Sequence, residues 1–329
     1  LSPHEGADMR KRVVAALVST MILGVSLSAN TAAADVDGAF SADTDVVQED
    51  SFGEEEVIMD EVTETLPADI QEDDPDAWED IITDQDAADA SDLALQSKDG
   101  EEPDPEGEDI EINDKNFPDF LFRDYVSKEY DMNDDGYLSP SEINDVTAMN
   151  VSTKAISDLT GIGYFTDLKL LICSDNAIGE LDLSGNTNLT YLDCSQNQIT
   201  ELDLSSNTYL DYLDCAQNKI SELDMSSNTE LMFLTCSYNP LGDDLDISGC
   251  IKLFELKCCT NEMKKLNLSS NTALEKLNCS CNSLESDKFD LSKNIALEVL
   301  NCSYNELESL DLSGNPDLMS VDCSFNRLT

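Results

Sequence analysis

The sequence predicts an α/β solenoid built from short parallel strands, and three observations predict it. Cys173, Cys194, Cys215, Cys236, Cys258, Cys279, Cys302 and Cys323 recur at an interval that is constant but for two slight lengthenings. An asparagine follows each at the same offset, from Asn176 to Asn326. Leucines keep fixed offsets between them, so that the second unit runs Leu189, Leu192, Cys194, Asn197, Ile199, Leu202, Leu204, Asn207. Self-similarity at such a short, fixed period is the mark of a stacked array.

Written out, the unit is L-x-x-L-x-C-x-x-N-x-I-x-x-L-x-L-x-x-N, which matches the leucine-rich repeat pattern with cysteine in the third apolar slot. A degenerate earlier copy runs through Val146, Met149, Val151, Ile156 and Leu159. Alternate residues of a strand point to opposite faces, so the Leu and Cys go inward and the residues between them outward. Strands stacked about 4.8 Å apart give one parallel sheet about 40 Å long. Each unit buries its apolar edge only against its neighbours, so several copies and end caps are needed. The Asn after each Cys is expected to bond backbone groups of the tight turn leaving the strand. A second column, Asn186, Asn207, Asn228, Asn271, Asn294 and Asn315, follows on the opposite side, with Cys250 in its fourth place.

There are 11 cysteines. Neighbouring strands lie within disulfide reach. In a parallel ladder, however, the side chains point the same way, and eight of the cysteines occupy a leucine slot. They are expected as small buried hydrophobes rather than cystines. Cys259 and Cys281 fall outside that slot and are expected outward as free thiols. No C-x-x-C spacing supports redox or metal chemistry.

Charge organises the N-terminal third. The 329 residues carry 70 acidic against 18 basic side chains, a net charge of -52, which argues against nucleic acid and anionic lipid as partners. From Met9 the chain reads Arg10, Lys11, Arg12, an apolar run from Val13 to about Leu27, then Ala32, Ala33 and Ala34. That is the pattern of a secretory signal peptide over residues 1–34, cleaved after Ala34, too short for a stable membrane span in the mature chain. Cleavage would remove His4, the only histidine, and with it the commonest general base. No cysteine precedes Cys173 to accept a lipid. The opening on Leu1 and the stop at Thr329, partway through a repeat, are how a piece of a longer protein reads. Residues 35–114 hold 32 acids and one base, Lys98. Residues 35–112 are therefore expected to be a disordered acidic spacer, with a weak calcium reservoir or a decoy for basic partners as sharper readings.

One loop carries specific chemistry. Residues 131–142 fit D-x-[DN]-x-[DN]-G-x5-E without a mismatch and resemble an EF-hand. Asp131, Asn133 and Asp135 would supply side-chain oxygens, Tyr137 its carbonyl, Ser139 a direct or water-bridged contact and Glu142 a bidentate carboxylate to Ca2+. The same residues also spell a capping box, with Ser139 at N-cap, Pro140 at N1 and Glu142 at N3. Phe122, Val126 and Tyr130 at helical spacing predict an entering helix within 117–130, and residues 140–148 an exiting one. Residues 113–148 thus form a helical, EF-hand-like cap on a solenoid spanning 149–329.

From about residue 113 onward the sequence resembles exported bacterial leucine-rich repeat proteins of the internalin type. The N-F-P-D of Asn116–Asp119, the calcium-type loop and the L-D-C-S-x-N repeats carry the resemblance. It implies a secreted or cell-surface, non-enzymatic protein that recognises an extracellular protein or glycan. On the outward, concave side of the strands stand Tyr191, Tyr212 and Phe233 in one column and Asp193, Asp214 and Thr235 in the next, with Tyr238, Tyr304 and Phe325 farther out. Aromatic rings there would clamp a peptide or stack on sugar, with the carboxylates taking a basic group or hydroxyls. Cross-strand packing that only stiffens the sheet is the competing reading. The column Asp182, Asp203, Asp224, Asp246 and Asp311 reads as solvated turn chemistry. An alternative function is the accessory repeat region of a larger secreted hydrolase, a peptidase or glycosidase whose catalytic domain lies outside this chain.

Overall fold

A computed structural model describes residues 107–144 and 146–329. The signal peptide expected at 1–34, and the spacer as far as residue 106, lie outside the described residues. The described chain opens with strand β1 (Ile110–Glu111), helix α1 (Phe120–Tyr130), strand β2 (Tyr137–Leu138) and helix α2 (Pro140–Asn144). Regular structure thus begins before residue 113, because β1 pairs antiparallel with β2. The exiting helix is shorter than expected. Ala148–Asn150 is drawn into the sheet as β3, and that confines α2 to a single short turn of helix.

The N-F-P-D segment ties this cap together. Asn116 donates to the Glu111 carbonyl and accepts from the Tyr164 hydroxyl. The wholly buried Phe117 packs edge-on to Phe122 and against Tyr164. Gly161 makes room for it at φ +104°, where an added Cβ would stand 2.4 Å from the Phe117 ring. Asp119 caps α1 through the Leu121 and Phe122 N–H groups, and its other oxygen accepts both the N–H and the hydroxyl of Ser157 in the first repeat. One carboxylate therefore satisfies orphan donors of the helix and bolts the helix to the solenoid.

The solenoid follows as β3, β4 (Leu170–Ile172), β5 (Tyr191–Asp193), β6 (Tyr212–Asp214), β7 (Leu223–Asp224), β8 (Phe233–Thr235), β9 (Leu245–Asp246), β10 (Glu255–Lys257), β11 (Lys276–Asn278), β12 (Val299–Asn301) and β13 (Ser320–Asp322). Nine of these form one parallel sheet in the order β3-β4-β5-β6-β8-β10-β11-β12-β13, while β7 and β9 pair separately on the opposite side. The central residue of each rung points inward, so Leu171, Leu192, Leu213, Leu234, Leu256, Leu277 and Leu300 register one above another. Between strands the described units hold turns and two 3-10 turns but no α-helix. The α character expected of the class is confined to the cap, because each short unit must also supply the extended L-x-L segment and has no length left for a helix.

Cysteine fills the slot beside each leucine. Cys173, Cys194, Cys215, Cys236, Cys258, Cys279 and Cys302 are all fully buried, and burial holds the Cys194 and Cys215 thiols well above their ordinary pKa. Cys323, just after the last strand described, is half-buried, Cys259 half-buried and Cys281 exposed, and all eleven are free. Each Asn after a Cys closes its turn. The Asn197 amide donates to the carbonyls of Cys173, Cys194 and Ser195 at 3.0–3.1 Å and its oxygen accepts Ile178 N–H at 3.0 Å, stitching two repeats together. In the second column the Asn207 amide donates to the Leu183 and Asn186 carbonyls. Where Cys250 interrupts that column, only a 3.4 Å thiol contact to the Met225 carbonyl remains.

Between each Cys and its Asn lies a residue in the left-handed region: Asp175, Gln196, Gln217, Tyr238, Thr260, Cys281, Tyr304 and Phe325, all with φ between 52° and 58°. Seven of them donate their N–H to a carbonyl of the next repeat, as Gln196 does to Ala216 at 2.9 Å. The left-handed cost of an L residue is thereby offset by an inter-repeat bond.

Candidate functional site

The calcium-type loop folds around its first residue. Asp131, 8% exposed, accepts the Asp135 N–H on one carboxylate oxygen and the Gly136 N–H on the other, at 3.1 and 3.0 Å. Asn133 Oδ1 accepts Asp135 N–H and Asp135 Oδ1 accepts Tyr137 N–H, so the loop's side-chain oxygens also shape its backbone. Gly136, at φ +84°, makes the sharp turn that the pattern requires of it. At the far end Glu142 reaches back across the loop. Its Oε1 accepts Met132 N–H at 2.8 Å, and its Oε2 accepts both the N–H and the hydroxyl of Ser139 at 2.8 Å. Slight burial works against the charge, but these hydrogen bonds hold the Glu142 carboxyl below its usual range.

These contacts realise the capping-box reading of the residues. The capping box is formed, Glu142 N–H returning to Ser139 Oγ at 3.3 Å. The oxygen donors expected of a calcium loop are held in one continuous turn whose ends Glu142 clasps. Among the described residues, however, no group of three or more His, Cys, Asp or Glu is drawn together tightly enough to hold a metal ion. Glu142 would have to exchange its Ser139 contacts for a cation, and Asp131 would use the lone pairs its two N–H bonds leave over.

The second cluster lies on the outward face of the sheet. Register places Tyr191 beside Tyr212 beside Phe233, and Asp193 beside Asp214 beside Thr235. The two tyrosine rings stack at 4.3 Å and 3°, Phe233 tilts against Tyr212 at 6.3 Å, and Phe254 continues the row at 5.6 Å from Phe233. Part of the aromatic surface is thus spent on its neighbours, as cross-strand stiffening requires, while Tyr191, Tyr212, Asp193 and Asp214 are all half-buried rather than enclosed. Burial pushes the Asp214 carboxyl up to about 6, and the neighbouring Asp193 charge pushes the same way against a weaker pull from Lys257. Tyr238 lies outside the paired register, just beyond β8 in the left-handed column, and is 56% exposed. Tyr304 and Phe325 lie in that same column and stack at 4.1 Å. On the other side, Asp182, Asp203, Asp224, Asp246 and Asp311 each accept the N–H of the serine next but one along the chain, which is turn chemistry.

Missing from the sequence-derived site were Ile110, whose strand closes on the loop, and Asp119, which joins cap to repeat. An aspartate placed immediately before the Phe120–Tyr130 helical run was a readable N-cap signal. Its bond to Ser157, on a distant stretch of chain in the first repeat, was not.

In-register inward rungs with an asparagine closing every turn define a leucine-rich repeat solenoid. The family model for leucine-rich repeats in two copies matches residues 187–231. The repeats are internalin-like: over 71 residues, 22% of this chain and 8% of the relative, the sequence is 37% identical to internalin J of Listeria monocytogenes serotype 4b (strain F2365). The functional domain of InlJ from Listeria monocytogenes, a structure described as including a cysteine ladder, superposes with a TM-score of 0.55 at 35% identity. That match covers 68% of this chain and 54% of the solved one, so the chain spans only about half of that relative. Internalin inlF of Listeria monocytogenes str. 4b F2365 shares the fold, with a TM-score of 0.51 at 22% identity over 67% of this chain and 72% of that one. Among the described residues no helix is long and apolar enough to cross a membrane.

Proposed function

We propose that the chain is the recognition region of a secreted or cell-surface protein, binding an extracellular protein or glycan on the outward face of its sheet without catalysing a reaction. The observation that carries this is the Tyr191–Tyr212 stack, half-buried but open to solvent, set against Asp193 and Asp214 on a rigid ladder. Strand positions fixed by backbone pairing present side chains with little entropy left to lose on binding, and aromatic rings offer large contact area. Likeness to internalin J supports the surface setting. The calcium-type loop is read as a stabilising cap in which Asp131, Asn133, Asp135, Tyr137, Ser139 and Glu142 hold Ca2+.

The test is a combined peptide and glycan array probed with the full chain and with a Tyr191→Ala, Tyr212→Ala variant. Hits lost in the variant support sheet-face recognition. Hits that persist unchanged place binding elsewhere and refute it. Calorimetric titration of the full chain with calcium tests the cap separately.

A further inference from the structure

We propose that the outward face of β5 and β6 seats a guanidinium or ammonium group from a basic polypeptide, held between Asp193 and Asp214 beside the Tyr191–Tyr212 pair. This rests on the recognition role proposed above and narrows the partner from protein or glycan to a basic protein segment.

Asp193 and Asp214 are register neighbours on adjacent parallel strands. That spacing, about 4.8 Å between backbones, sets two like charges directly opposite one another, an arrangement that destabilises a sheet. One oxygen of each is committed to its own turn: Asp193 Oδ1 accepts the Ser195 N–H and hydroxyl, and Asp214 Oδ1 accepts the Ala216 N–H. The second oxygen of each makes no hydrogen bond among the described residues, and register sets the two carboxylates side by side on adjacent strands.

Among the described residues no base on the sheet neutralises the pair. The next side chains in their column are Ile172 on one side and Thr235 on the other, with Lys257 one strand beyond. Lys257 is itself 3.1 Å from Glu255, which divides its charge. Burial is the main reason the Asp214 carboxyl is raised, and the Asp193 charge beside it adds to that rise.

A cation relieves this repulsion and a neutral ligand does not. Arginine fits best, because its planar fork can donate to both carboxylates while its face lies along the stacked tyrosines. Sugar hydroxyls would bond to the carboxylates but leave both charges in place. The net charge of -52 also draws basic segments toward the molecule before contact.

The probe is an acetylated, amidated heptapeptide with one arginine in a Gly/Ser frame, against the same peptide carrying neutral citrulline. Both are titrated into the full chain while NMR follows the Tyr191 and Tyr212 ring signals. We expect the arginine peptide to bind at least tenfold more tightly at pH 7.5. That preference should vanish in Asp193→Asn, Asp214→Asn, which should melt no lower than the parent. Equal affinity for the two peptides overturns the proposal, as does undiminished arginine binding by the double variant, which would signal general attraction to an acidic chain. If a neutral chitooligosaccharide shifts the tyrosine signals and the arginine peptide does not, the cation seat fails while sheet-face recognition stands. Silence from every probe defeats the cation seat, and the array above then judges the broader role.

Discussion

Ile110 and Leu138 lie opposite each other in the short antiparallel ladder that joins the start of the described chain to the calcium-type loop. Leu138 is the buried eighth residue of that loop, and the ladder is extended by Ile112 N–H donating to the Gly136 carbonyl at 2.9 Å. Whatever tightens the loop therefore tightens the chain entering the cap.

Calcium is expected to slow hydrogen exchange at Ile112 and to stabilise the full chain by about 1–2 kcal/mol in several millimolar ion, if the site has the roughly 0.1–1 mM affinity of extracellular modules. Glu142→Gln should abolish that response while keeping the Ser139 capping contact. Identical melting and exchange in EGTA and in calcium would sink the metal reading and leave the capping box as the loop's whole role.

The asparagine columns are expected to dominate the stability of the repeats. Asn218→Ala strands the Ile199 N–H and removes one of the two asparagine amides that each of the Cys194 and Cys215 carbonyls accepts, leaving those of Asn197 and Asn239. The cost should be about 1–3 kcal/mol, read from the urea midpoint of the full chain. Cys250→Asn tests the converse. By restoring the pair of backbone bonds that Asn228 and Asn271 make on either side, it should be neutral or stabilise by about 1 kcal/mol.

Thiol reactivity should follow depth in the ladder. Under native conditions an alkylating reagent is expected to modify Cys281 first and Cys259 and Cys323 more slowly, with the other eight protected until unfolding. Quantitative labelling of Cys194 in the folded protein would contradict its burial. Cys215→Ser, which puts a hydroxyl in an apolar slot, should cost about 1–3 kcal/mol.

Acid should favour one carboxyl against the general trend. Because the folded Asp214 sits up at about 6, above its unfolded value, its stabilising contribution is complete below pH 3.8 and is lost as pH rises through about 6. Asp214→Asn is therefore expected to be more stable than the parent at pH 7, by about 2 kcal/mol, with the difference closing toward pH 4. Equal stability of the two proteins across that range would show that Asp214 ionises without penalty.

The repeat was readable because its constraint is local and periodic: Leu192, Cys194 and Asn197 recur in every unit, and the side-chain alternation of a strand does the rest. Register likewise put Cys259 and Cys281 outside the buried slot; Cys281 is exposed as expected, while Cys259 is half-buried with its thiol on the Ser237 hydroxyl. The cap was readable only in part. Its loop has a linear pattern, but the closure by Ile110 depends on a pairing between segments on either side of α1, which no periodicity announces. The length of α2 was misjudged for a related reason. Residues 145–148 have acceptable helical character, yet Ala148–Asn150 gains more by completing a ladder with β4. Tyr238, read as standing farther out than the Tyr191–Phe233 column, follows β8 in the left-handed column and is exposed.

That turn has a consequence for how such a surface can diversify. Aspartate, glutamine, tyrosine, threonine, cysteine and phenylalanine occupy one backbone conformation along the column from Asp175 to Phe325. The steric cost there arises mainly at Cβ, about 1–2 kcal/mol per residue, and is shared by most unbranched side chains. Exchanging one of these side chains for another should therefore pass unnoticed by folding while altering what the surface displays. The column behaves as a row of interchangeable sockets, and a lineage could rewrite its text one rung at a time without reopening the question of whether the molecule folds.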